Sequence, residues 1–169
     1  MVVVPELSAK PRRDTRPPKT GPGEMDVLLG FLDYLRASVI AKAEGVPEPQ
    51  IRAPGVPSGT NLLGLVKHLT NVERHWLLGQ RVPDWAATFH AEPAESVDDV
   101  LRAYRETSAR ANEVLAAHPD LAAAGPCPGG RPGPAPSLRW TLTHLIEETG
   151  RHAGHADILR ELIDGATGR

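Results

Sequence analysis

Residues 137–165 read SLRWTLTHLIEETGRHAGHADILRELIDG, and the fold of the chain turns on this stretch. Leu138, Leu142, Leu145, Thr149, His152, Ala156, Leu159 and Ile163 recur at steps of three and four residues, the period of one helical face. Ser137 suits an N-cap and Gly165 a stop, so the spacing predicts one helix of about 26 residues. A stripe this long needs other helices to cover it.

Three more amphipathic segments supply them. From Asp26, read as an N-cap, the inward positions are Leu28, Phe31, Leu32, Leu35 and Val39, and Gly45 with Pro47 ends the pattern. A second helix opens at Thr60 or Asn61 and runs to about Gln80, with Leu62, Leu65, Leu69, Val72 and Trp76 inward. Ser96 and Asp99 form a variant capping box before a third helix, which buries Val97, Val100, Leu101, Tyr104, Ala111, Val114 and Leu115 and stops at Pro119. No run of period-two alternation competes with these. The expected fold is all-α, a four-helix bundle over residues 25–169. The connections 46–60, 81–95 and 125–136 are rich in Pro or Gly and long for antiparallel neighbours, so a crossover is allowed. Residues 1–24 carry five prolines and five basic side chains and little apolar surface after Val4. They read as an arm or tail that adds little to the core.

At 169 residues the chain suits one domain, and its net charge of −2, from 19 basic and 21 acidic residues, sets up no global field for nucleic acid. No apolar run is long enough to span a membrane, and a single cysteine, Cys127, excludes an intrachain disulfide and a multi-cysteine zinc site. These features point to a cytoplasmic protein that binds neither nucleic acid nor membrane. A homodimer is compatible with exposed bundle faces.

Among the seven histidines, His144, Glu148 and His152 follow one another at four-residue steps on the fourth helix, and His155 follows at three. Side chains four apart lie above one another, about 6 Å along the axis, so Glu148 and His152 can reach one cation. Both flank the inward stripe, where an uncompensated polar group costs roughly 2–7 kcal/mol. On the second helix His68 lies three residues after Leu65 and four before Val72, so it too faces the core edge. His68, Glu148 and His152 then make three ligands from two helices, which leaves a coordination position open. His75 or Glu73 could replace or support His68, His155 could replace Glu148, and His144 remains a nearby alternative. Cys127, in a proline-flanked loop, is expected to be neither ligand nor nucleophile.

The segments HLTNVERHWL (68–77) and WTLTHLIEETGRHAGHADILRELIDG (140–165), with PGVPSGTNLLGLVKHL (54–69) before them, resemble the DinB-like superfamily of metal-binding four-helix bundles over roughly residues 25–165. They are most similar to a branch without assigned function that is related to thiol-dependent S-transferases. The resemblance implies one crossover connection and a divalent ion, zinc or nickel, on His68, Glu148 and His152. Many members carry His where this chain has Glu148, whereas the mycothiol-dependent maleylpyruvate isomerases of the superfamily are similar in using Glu. The activity implied is activation of a small-molecule thiol at the metal for attack on an electrophile, with His155 or Glu73 as orienter or base. The alternative is a non-catalytic metal-binding or stress-response module on the same bundle, favoured if the site is closed to small molecules.

Overall fold

The computed structural model describes residues 15–19, 21–128 and 133–168. Residues 1–14 of the arm and 129–132 of the Gly/Pro linker lie outside the described residues. The elements are α1 (Glu24–Ala43), α2 (Leu62–Leu78), α3 (Val97–Ala117) and α4 (Leu138–Asp164), with short 3₁₀ turns at Gln50–Arg52 and Ala87–Phe89. Among the described residues there is no strand, only one isolated bridge, between Ala124 and Ser137. No described helix is long and apolar enough to cross a membrane.

Side-chain pairs fix the helix directions. Arg139 at the start of α4 bonds Glu24 at the start of α1 (2.7 Å), and Arg160 near the end of α4 donates to the carbonyls of Lys42 and Glu44 at the end of α1 (2.9 Å each), so α1 and α4 run parallel. Lys67 meets Glu95 just before α3 (2.7 Å) and Arg74 meets Thr107 (3.2 Å), so α2 and α3 are also parallel. Trp76, late in α2, packs on Trp140 and His144, early in α4, so those two are antiparallel. The bundle is therefore up-down-down-up. Parallel neighbours need a connection that runs the length of the bundle, and residues 79–96 provide that single crossover.

The polar caps follow the sequence. Asn61 accepts from the Gly64 amide, Ser96 from Asp99 and Ser137 from Trp140, and Gly79 and Gly165 close α2 and α4 at positive φ. Two expectations for α1 need correction. Its N-cap is Gly23, and Asp26 sits at the third helical position, where its carboxylate accepts from the Gly23 amide at 3.2 Å. Phe31, expected inward, is 40% exposed, while Arg36, Ser38 and Lys42 are buried. A purely apolar stripe misplaces the inner face of α1 because that face carries a buried guanidinium.

The core falls into two clusters. One gathers Val39, Leu62, Leu65, Leu69, Tyr104 and Leu159, and the other gathers Leu32, Val72, Leu115, Leu138, Leu142 and Leu145. A polar waist crosses the bundle at this division: Arg36 lies between Leu32 and Val39, Glu73 follows Val72, Thr107 separates Tyr104 from Ala111, and Thr149 follows Leu145. At the arm, the Tyr34 hydroxyl of α1 donates to the Thr15 carbonyl at 2.9 Å.

Candidate metal centre

His68 of α2 meets Glu148 and His152 of α4 where those helices adjoin. Glu148 Oε1 lies 3.3 Å from His68 Nε2 and 3.2 Å from His152 Nε2. One donor atom from each side chain falls within 4.8 Å of the others. The two imidazoles are almost buried, at 7% and 10% side-chain exposure, and Glu148 keeps 17%, so the group is not sealed from solvent.

The crossover sets the orientation of His68. Its Nδ1 lies 2.7 Å from Thr88 Oγ1, and that hydroxyl donates to the Trp85 carbonyl at 2.6 Å. The hydroxyl proton is thus engaged, so Thr88 accepts from His68 Nδ1–H, and the Nε2 lone pair faces Glu148. Phe89 stacks on the ring at 3.8 Å between centroids and 13° between planes, and Trp85 meets it edge-on. Sequence reasoning missed Thr88 and Phe89. They lie 20 and 21 residues beyond His68 in a segment read only as a loop, and nothing in its composition marks them.

On α4, His152 Nδ1 stands 3.4 Å from His155 Nδ1. His155 is thus behind a ligand atom rather than among the three. His144 sits a turn below Glu148, between the rings of Trp76 and Trp140, at 5.1 Å from each. His75 is directed to the Gln80 carbonyl through Nδ1 (3.1 Å) and to Cys127 Sγ through Nε2 (3.6 Å), away from the group. Glu73 departs most from the sequence reading. It is 1% exposed, and its two oxygens are held by Arg36 Nε (2.8 Å) and Nη2 (2.7 Å). That carboxylate is occupied on the α1 and α3 side and does not reach His68, because five residues along a helix turn its side chain well away from that of His68.

Burial pushes both imidazoles below their ordinary range, against the opposing pull of Glu148. Burial pushes Glu148 up, but the His68 bond and the neighbouring His152 bring it below the usual carboxylate range. At neutral pH the group is two neutral imidazoles and one carboxylate. Where each imidazole keeps its proton on Nδ1, Glu148 Oε1 faces one Nε2 lone pair at 3.3 Å and the other at 3.2 Å. Such contacts repel unless a cation or proton lies between them. Donors about 2.1 Å from a tetrahedral zinc stand roughly 3.4 Å apart, so this donor set fits a small divalent ion.

A pH dependence follows. In metal-free protein the folded histidine pKa values lie below the unfolded value of about 6.5, so the unfolded chain binds more protons in that window. Stability contributed by the neutral imidazoles is complete above about 6.5 and is lost as pH falls toward the lowered folded values. Thermal melts of chelator-treated protein should show this decline, and zinc should protect against it down to a pH below the ordinary imidazole range. A melt independent of pH across that window would contradict the burial argument.

The strap over His68 can be tested without touching a ligand. A Cβ at Gly64 would lie 2.0 Å from the Phe89 carbonyl oxygen, a contact that only displacement of the strap can relieve. Gly64→Ala should therefore move Phe89 and Thr88 off His68 and lower metal affinity by about 10–100-fold, the usual cost of losing a partner behind a ligand. Competition with a chromophoric chelator measures it, and unchanged affinity would show that the strap is dispensable.

A family model described as mycothiol-S-transferase matches residues 27–165 of this chain. No curated protein matches it.

Proposed function

The chain belongs to the mycothiol-S-transferase family, and on that premise we propose that it is a metal-dependent enzyme transferring the sulfur of a small thiol, mycothiol first among them, to an electrophile. The observation that carries this reading is the convergence of one donor atom each from His68, His152 and Glu148 within 4.8 Å of one another. His68, His152 and Glu148 would hold a divalent cation, zinc or nickel, which would supply a Lewis acid that favours the nucleophilic thiolate form of a small thiol. His68 and His152 serve as neutral donors. Thr88 holds the first in the required tautomer. His155, with Nδ1 3.4 Å from His152 Nδ1, is placed to hold the second in the matching tautomer, a positioning role. Glu148 contributes the one negative charge, which leaves the site net positive toward an incoming thiolate. Phe89 and Trp85 shield one flank from water. A cytoplasmic setting, where small thiols stay reduced, suits the chemistry and the single cysteine.

The test is turnover of a fluorogenic alkylating agent, monochlorobimane, with mycothiol and with cysteine by zinc- or nickel-loaded protein. We expect turnover that disappears on chelation and in Glu148→Ala. Stoichiometric metal with no turnover of any thiol would put the non-catalytic binding module in its place.

A further inference from the structure

Next to His155, which stands behind His152, the bundle leaves a cavity of about 240 Å³ between the loop preceding α2 and the later turns of α4. Val56, Ser58 and Thr60 line it from the loop, and His155, Ile158 and Leu159 line it from the helix. We propose that this cavity is the binding pocket for the electrophilic substrate, and that the substrate is a small, uncharged electrophile with a compact apolar body such as one aromatic ring. The proposal rests on the transferase reading and adds to it the place and chemical class of the second substrate.

Three observations support it. His155 is shared between cavity and metal group. It lines the cavity, and its Nδ1 stands 3.4 Å from His152 Nδ1, so a molecule in the cavity lies one side chain from a ligand. The lining has the character of a small-molecule site: an apolar body with few polar groups. Those polar groups are the imidazole and the Ser58 and Thr60 hydroxyls, which bond each other at 2.9 Å. No Lys, Arg, Asp or Glu lines the cavity, so nothing there compensates the desolvation of a carboxylate or phosphate. Apolar surface also remains uncovered at the mouth, with Ile158 57% and Val56 37% exposed on opposite walls.

Size narrows the class. Pockets for drug-sized ligands run from about 300 to 1,000 Å³. At about 240 Å³ this one holds a ring or a short alkyl chain, not a whole thiol cofactor as well. The reaction this pose serves is a substitution. The thiolate sulfur forms the S–C bond, the carbon–halogen bond breaks with its electron pair leaving on the halide, and the thiol proton passes to water.

The experiment uses the full chain and 4-fluorobenzyl alcohol, an unreactive mimic of 4-fluorobenzyl chloride, followed by fluorine NMR. Saturable line broadening is expected in both chelator-treated and cobalt-loaded protein, with additional paramagnetic relaxation in the latter because the probe lies close to the metal. Ile158→Trp and Val56→Trp fill the cavity from opposite walls, and each should weaken probe binding by at least about tenfold with metal content and helicity unchanged. Probe binding indifferent to both substitutions, or free of paramagnetic relaxation, would overturn the pocket. So would a change of oligomeric state in Ile158→Trp, since the mouth would then be a contact between copies of the chain. Failure of the transferase reading looks different: the probe still binds beside the metal, and no thiol is consumed.

Discussion

His152→Ala is expected to leave the protein without stoichiometric metal. The variant removes Nε2, which faces Glu148 Oε1 at 3.2 Å, and leaves only one ligand on α4 and one on α2. Three protein ligands are the usual minimum for a zinc site with an open position, and two exposed to competing water hold it far more weakly. The same change removes the His152 Nδ1 that stands 3.4 Å from His155 Nδ1. The histidine therefore supports either arrangement of α4 ligands, with Glu148 or with His155 beside it. His155→Ala separates the two. As a residue behind the ligand it should cost about 10–100-fold in affinity while one metal still binds at saturation. The measurement is elemental analysis of protein prepared without chelator or histidine tag, with circular dichroism to verify folding. Metal retained at one per chain in His152→Ala would remove this group as the binding site.

How much of this was readable in advance differs by element. α4 was the clearest, because an uninterrupted stripe from Leu138 to Leu159 coincides with a serine cap and a glycine stop, and all agree with the helix found. Helical spacing put Glu148 and His152 on one shared face, while the choice of His68 over His75 or Glu73 followed the family resemblance. α1 was less so. Its inner face is completed by Arg36 and Lys42, and a hydrophobic template discards charged residues even when a buried partner waits across the core. Thr88 and Phe89 were not readable at all. Their placement depends on the crossover running back along α2 with Gly64 admitting the backbone, which is a tertiary event with no local periodicity. The same limit applies to His75 and Cys127, brought to 3.6 Å by the docking of a loop onto the end of α2.

Glu73 is where the structure changes the expectation most, and its removal should be the largest single loss of stability among the polar residues. Spacing let it replace or support His68, and the family resemblance implied a base or an orienter. In the fold it belongs to the polar waist, with Arg36 bound at both oxygens and Ser108 contributing a weaker contact at 3.4 Å. Burial pushes the carboxyl up, and the Arg36 guanidinium works against that push. Deleting one partner of such a pair leaves a buried charge without its counter-ion, which costs about 3–5 kcal/mol. Arg36 also reaches Asp33 and Asn112 at 2.7 Å each, so its charge is partly answered and the lower end applies. For a domain of this size, about 3 kcal/mol corresponds to a fall in Tm of roughly 6–12 °C. Glu73→Ala should show that fall with metal content unchanged, since the carboxylate touches no ligand. The double variant Arg36→Met with Glu73→Leu should recover much of the loss, because apolar replacement of both partners removes the desolvation cost along with the attraction. A Glu73→Ala protein that melts like the parent but loses thiol turnover would restore the catalytic role and refute the structural one.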